Sequence, residues 1–297
     1  MKKLFIASFV FSCIVSISSC DFVTIPEQAG TTVDTTTSTV KHKVLIEDYT
    51  GHKCTACPPA AVTANTIIAN NGENVIAIGV HAGFFASPMT TGTQYLQDFR
   101  TTAGTAYDTY FGISAIGNPN GMINRKDYTA STTVHVKSYG TWAAEVAAEL
   151  AKPALAKIEF SNTYNTTTRI LNCTVNATFL YDTLSGGPYK LTAMIVQDSI
   201  VADQLDAGVY VPTYVHRHVL RDNINVNGTW GDDLVTGTLV ANTVISKNYV
   251  YTLPATYPAA GGPSSTVCDA NHCYVVAFIY NDATKEILQV EEAKIIP

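Results

Sequence analysis

The run Val44-Leu45-Ile46-Glu47-Asp48-Tyr49-Thr50-Gly51-His52-Lys53-Cys54-Thr55-Ala56-Cys57-Pro58-Pro59 gathers the side chains best suited to chemistry. Cys54 and Cys57 stand three positions apart, a spacing that closes a disulfide with little backbone movement. An apolar strand ends just before them. Pro58 and Pro59 are acceptable only in the first turn of a helix, so the second cysteine marks a helix start. The dipole and free N–H groups there favour a thiolate. The chemistry permitted is thiol–disulfide exchange, with Cys54 attacking and Cys57 resolving. Asp48, six positions before Cys54, could handle the proton. Glu47 is its strand neighbour and must face the opposite way, so only one of the two can lie under the sulfurs. Asn118-Pro119-Asn120-Gly121 precedes a further short strand. Asn118–Pro119 is an X-Pro bond, the type to which cis peptides are essentially confined.

The elements that must position these groups alternate in type. Strands are predicted over 43–49, 74–81 and 121–125. Helices are predicted over 58–70 and 138–151, the latter carrying Trp142, Val146 and Leu150 and stopped by Pro153. Residues 93–111 carry aromatic residues at roughly helical spacing, interrupted near Gly104. Alternating strands and helices imply an α/β unit over 41–152. Strand, C-x-x-C, helix, acidic residue and proline together resemble a thioredoxin domain. That resemblance implies a proton-handling role for Asp48 and a substrate groove shaped by Pro119. Lys53-Cys54-Thr55-Ala56-Cys57 departs from the usual aromatic-Cys-Gly-Pro-Cys, and an insertion is expected around 83–112. After Pro153 the pattern becomes apolar–polar alternation broken by Gly, Pro, Asn and Asp. Residues 153–297 therefore read as an all-β, immunoglobulin-like sandwich.

The N-terminus bounds the setting. Lys2 and Lys3, an apolar stretch from Leu4 to Val15 and then Ile17-Ser18-Ser19-Cys20 read as a lipoprotein signal over 1–19, with Cys20 the lipidated residue. Dual acylation suffices for stable anchoring. Residues 20–40, rich in Thr, read as a flexible tether. Charged residues make up 14% of the chain and the formal net charge is −6, with no basic run, which argues against nucleic-acid binding.

Of seven cysteines, Cys13 leaves with the signal. Cys268 and Cys273 are expected to form a disulfide at a strand start. Cys173 is expected to be a buried, inert thiol. His52 could promote a thiolate at Cys54, although a solvated loop residue is the simpler expectation. His81 reads as a buried polar residue at a strand end. His216 and His218 share a strand face that could meet a metal or a ligand carboxylate, although a plain polar face is the simpler expectation. No zinc site is expected, because the C-x-x-C lacks a second ligand pair in its own domain. No cofactor is implied.

The block 44–51, Cys54-x-x-Cys57-Pro58, Asn118–Arg125 and Tyr214–Arg221, with the lipoprotein signal, resembles the outer membrane protein 28 family of Bacteroidota over nearly the whole mature chain. The resemblance implies an outer-membrane lipoprotein, facing the surface or the periplasm, with no established catalytic residues. It implies a binding or assembly role toward an outer-membrane protein, a glycan or a host ligand. Outside the cytoplasm an oxidised pair stays oxidised unless a partner regenerates it. The leading expectation is therefore a scaffold with a structural disulfide at Cys54–Cys57. The alternative is a membrane-tethered thiol–disulfide oxidoreductase using Cys54, Cys57, Asp48 and Pro119.

Overall fold

The computed structural model describes residues 40–182, 184, 187–235 and 239–296. The signal over 1–19, Cys20 and the tether up to residue 39 lie outside the described residues. In chain order the elements are β1 (Val44–Thr50), α1 (Cys57–Asn71), β2 (Val75–His81), α2 (Gly83–Ala86), α3 (Thr102–Phe111), α4 (Ile113–Ile116), β3 (Asn120–Ile123) and α5 (Trp142–Leu150). There follow β4 (Ala156–Asn165), β5 (Ile170–Phe179), β6 (Tyr189–Gln197), β7 (Ile200–Asp206), β8 (Val209–His216), β9 (Val219–Asn223) and β10 (Asp232–Val235). The last are β11 (Val244–Thr252), β12 (Thr256–Tyr257), β13 (Thr266–Val267), β14 (Cys273–Asn281) and β15 (Ile287–Lys294).

Among the described residues an eight-stranded sheet runs β15-β14-β6-β9-β2-β1-β3, with β10 pairing β6. β1 and β2 are parallel, with Asp48 opposite Gly79. β3 is antiparallel to β1, with Asp48 opposite Gly121 and Tyr49 opposite Asn120. Both faces of β1 and β2 are covered, so nearly every residue is buried, Glu47, Asp48 and His81 included. One face packs Leu45, Tyr49, Ile76 and Ile78 with Tyr107 and Phe111 of α3, and with Phe278 and Tyr280 of β14. The opposite face is covered in two parts. Ala60, Ala64 and Ile67 of α1 and Trp142 and Val146 of α5 lie against Val44, Ile46 and Ala77. Farther along, Leu171, Cys173, Val175 and Ala177 of the three-stranded sheet β11-β5-β4 lie against Leu191, Ala193, Val275 and Ala277.

The expected division at 152/153 does not separate two compact units, since residues Ser38–Pro297 form one. A sandwich does occur in the second half, but its larger sheet continues into β2, β1 and β3. The junction is buried and specific. Arg125 is fully buried and donates to both Glu47 carboxylate oxygens (2.8 and 2.7 Å), with its guanidinium against the Tyr107 and Phe278 rings. The Ile287 N–H donates to the Asn124 carbonyl (2.8 Å). Gln289 donates to the carbonyls of Lys41 and Ala156 (2.9 and 3.0 Å). Cutting at residue 152 would expose this ion pair and these backbone groups to mismatch.

Two further expectations shift. The helix expected over 93–111 begins only at Thr102, and Gly104 lies inside its first turn instead of interrupting it. A Cβ there would come within 3.0 Å of Val80, so glycine permits the close helix–sheet approach. The single strand expected to carry His216 and His218 breaks at Arg217-His218 into β8 and β9, because His218 adopts a positive φ of 54°.

Candidate functional site

β1 hands over to α1 through a tight turn. The Cys54 N–H donates to the Gly51 carbonyl (2.9 Å) and the Cys57 N–H to the Cys54 carbonyl (3.3 Å). Pro58 and Pro59 occupy the first turn of α1, where missing N–H groups are harmless. Gly51 is required by proximity, since a Cβ would lie 2.4 Å from the Phe85 carbonyl carbon. Cys54 and Cys57 form a disulfide (S–S 2.08 Å, Cα–Cα 5.4 Å). The Asn118–Pro119 bond is cis, and the strand it opens pairs with the end of β1 nearest the disulfide.

Asp48 and Glu47 separate as strand geometry requires. Glu47 faces α3 and is neutralised by Arg125. Asp48 faces the α1 side and borders a cavity of about 40 Å³ together with Cys57, His81, Gln204, Tyr214 and His216. Its Oδ1 has no hydrogen-bond partner among the described residues, and burial alone pushes its carboxyl up to about 7. It is therefore poised between protonated and ionised near neutral pH.

The β7–β8 hairpin closes over the disulfide. Its turn residues Ala207 and Gly208 both have positive φ (47° and 83°), the backbone that a two-residue hairpin turn of matching twist requires. The Ala207 N–H donates to the Thr55 carbonyl (3.1 Å) and the Gly208 N–H to the Thr55 hydroxyl (2.6 Å). The Leu205 N–H donates to the His52 carbonyl (2.8 Å). The Gln204 side-chain amide donates to the carbonyls of Cys54 (3.1 Å) and Gly51 (3.4 Å). Under this cover both cysteines are 2% exposed. A thiolate must reach one of the sulfurs to displace the other, and at 2% exposure neither cysteine is open to a protein thiol.

His52, His81 and His216 converge around Phe99. The His81 and His216 ring centroids lie 4.8 and 4.9 Å from the Phe99 ring and 5.6 Å from each other, and His52 lies 6.1 Å from Phe99. Burial holds His52 and His216 down to about 4 and His81 well below its ordinary value, so all three are neutral imidazoles at neutral pH. His52 is buried, contrary to the solvated loop residue expected. His216 and His218 do not share a ligand site. His216 Nε2 meets the Asp203 carbonyl (3.1 Å), whereas His218 Nε2 meets Asn65 Oδ1 (3.2 Å). The strand break between them turns the two rings to different neighbours.

The disulfide expected at Cys268–Cys273 is not formed. The two buried sulfurs are separate thiols in contact at 3.8 Å, and the Cys273 thiol donates to the Asp269 carbonyl (3.2 Å). Cys173 is a buried free thiol that burial pushes up to about 12. Sequence reasoning missed Gln204, Asp203, Tyr214 and Phe99. The signal available for the first three was the Ala207-Gly208 turn between two β-branched runs.

The family described as "Outer membrane protein Omp28" matches residues 104–297. The match begins after Cys57, so it is narrower than the nearly complete coverage expected. HBP35 of Porphyromonas gingivalis has a similar fold, with a TM-score of 0.64 and 17% identity over 86% of this chain and 76% of that one. A domain of the outer membrane lipoprotein Omp28 from Porphyromonas gingivalis aligns at 22% identity and a TM-score of 0.31, over 49% of this chain and 92% of that one. No curated protein matches the sequence.

Proposed function

This chain belongs to the outer membrane protein Omp28 family, and from that premise we propose that it is a lipid-anchored binding or assembly component of the outer membrane. In this reading Cys20 carries the lipid, and residues 20–40 are the tether. A thioredoxin-like framework, built from β1, α1, β2, β3 and α5, serves as scaffold. The Cys54–Cys57 disulfide is structural. The observation that carries the reading is the sealed disulfide, with both cysteines 2% exposed beneath a hairpin bonded to the C-x-x-C backbone. An exchange enzyme needs its attacking sulfur open to a protein substrate.

Trapping tests the choice. Cys57→Ser in the full-length, membrane-anchored protein leaves Cys54 as a free thiol. The expected result is no mixed disulfide with envelope proteins and slow alkylation until denaturant is added. Accumulation of mixed disulfides through Cys54 would overturn the structural reading. Cys20→Ala should release the protein from membranes, and chemical crosslinking in intact membranes should join the anchored form to a defined partner.

One observation favours the second reading, a membrane-tethered thiol–disulfide oxidoreductase. Asp48 borders the cavity beside Cys57 with its carboxyl near neutral, and cis-Pro119 opens the strand paired with β1. These are the groups exchange chemistry would use if the hairpin moved aside.

A further inference from the structure

The structure holds two deeply buried arginines whose surroundings differ. Arg125 is neutralised by Glu47. Arg221, on β9, is 4% exposed, and no carboxylate of the described residues lies within 4.0 Å of it. Its Nη2 donates to the Thr266 hydroxyl (2.8 Å) and the Tyr257 carbonyl (3.3 Å), while Nε and Nη1 have no acceptor among the described residues. Its guanidinium lies against the rings of Tyr257 (4.6 Å) and Phe99 (5.7 Å). A buried cation without a counter-ion costs several kcal/mol. A position that keeps one is a candidate for meeting an anion from outside.

Arg221 borders a cleft of about 360 Å³, at the lower end of the range for small-ligand sites, about 300–1,000 Å³. Two further features favour a negative group there. Thr101 and Thr102 bring the N-terminus of the ten-residue α3 to the cleft. Thr101 caps the Gly104 N–H (2.8 Å), while the earliest N–H groups of a helix have no partner within it. Arg100 stands at the rim. The acidic groups of the cleft are already paired, with other residues of its lining. Asp98 is held by Arg100 through two contacts (2.9 and 2.8 Å). Asp222 accepts from the Tyr251 hydroxyl (2.6 Å) and the Asn223 N–H (2.8 Å).

The rest of the lining sets the skeleton that would accompany the charge. Tyr251, Tyr257, Pro254 and Pro258 offer flat apolar faces. The hydroxyls of Thr102 and Thr252 offer hydrogen bonds to ligand hydroxyls, which a bare inorganic ion would leave unused. We propose that this cleft binds a hydroxylated carboxylic acid of sugar size, with the carboxylate directed to Arg221 and the α3 N-terminus and the ring face against Tyr257. This rests on the reading of the protein as a binding component and names the class of its ligand.

The test is calorimetric titration of the full chain with glucuronate, glucose and inorganic phosphate. Glucuronate should bind, and glucose should bind at least tenfold more weakly. Arg221→Gln, checked for an unchanged fold by circular dichroism, should weaken glucuronate at least tenfold. Arg100→Gln, at the exposed rim, should weaken it two- to fivefold. Equal binding of glucose and glucuronate by the wild-type protein would overturn the inference without any variant. So would binding of phosphate alone, or undiminished glucuronate binding by a folded Arg221→Gln. If no acidic sugar binds while membrane crosslinking still recovers a partner, this inference fails and the broader reading stands.

Discussion

Asp48 offers the sharpest test of the site, because the structure gives its burial a definite thermodynamic sign. Its carboxyl goes from 3.8 to about 7 on folding, through burial alone. The native state therefore holds the proton more tightly than the unfolded chain. Stability from this residue is fully present below about pH 4, where both states are protonated, and is lost as pH rises through about 7. Each tenfold change in proton affinity is worth about 1.4 kcal/mol. The residue should thus cost the folded protein about 1.5 kcal/mol at pH 5 and up to about 4 kcal/mol at pH 8. Asp48→Asn keeps the shape and cannot ionise. The variant should match the wild type near pH 4 and exceed it progressively toward pH 8. Urea unfolding of the two proteins at pH 4, 5, 6.5 and 8 reads the difference directly. A gap that is the same at every pH would refute the assignment of a buried, unpartnered carboxyl to this position. A gap that grows on acidification would mean the carboxylate has found a cation.

The buried imidazoles predict the opposite slope. His52 and His216 sit near 4 when folded, so the unfolded chain takes up protons that the native state refuses, and stability is lost as pH falls from about 6.5 toward 4, by up to about 3 kcal/mol for each ring; His216→Phe should flatten that acid limb in thermal unfolding. Arg125→Met should cost about 3–5 kcal/mol by leaving Glu47 buried and alone, while the double change Glu47→Leu with Arg125→Met should cost less than the single one in chemical unfolding. Gln204→Ala removes the side-chain donor to the Cys54 and Gly51 carbonyls, worth about 1–2 kcal/mol. It should speed reduction of Cys54–Cys57 by a small phosphine about 5- to 30-fold, as followed by quenched alkylation.

Much of the first half was legible because its signals are local. The apolar run of β1, the prolines after Cys57 and the X-Pro before β3 each act within a few residues, and each appears where the pattern places it. The separation of Glu47 from Asp48 was equally readable, since strand parity decides it. The boundary at 152/153 was misjudged for a different reason. A change from helix–strand alternation to strand alternation says nothing about which sheet a strand joins. β6 and β14 complete the sheet that β1 begins, through contacts more than a hundred residues apart in sequence, such as the Arg125 guanidinium against the Phe278 ring. Cys268 and Cys273 show the limit of spacing arguments, because whether two neighbouring sulfurs bond depends on rotamers that the chain's order does not record. The hairpin over the disulfide left only a two-residue turn as its trace. Nothing local says that such a turn will dock on Thr55.

Phe99 touches both the histidines beside the disulfide and the lining of the proposed ligand cleft. Its ring meets His81 and His216, which flank the cavity beside Cys57. It also borders the cleft and lies 5.7 Å from the Arg221 guanidinium. Phe99 is 2% exposed, and close-packed rings of this kind cannot shift singly without opening a void. A ligand that drew Arg221 toward its carboxylate would move the cation away from the Phe99 ring and alter the packing of the two imidazoles against that ring. His216 in turn holds the Asp203 carbonyl, one residue from the Gln204 that bonds the Cys54 carbonyl. Occupancy of the cleft should therefore change the rate at which the disulfide is reduced, even though no ligand touches sulfur. Phosphine reduction of the full chain with and without saturating glucuronate measures that coupling. An unchanged rate despite demonstrated binding would show that Phe99 separates the two sites without linking them.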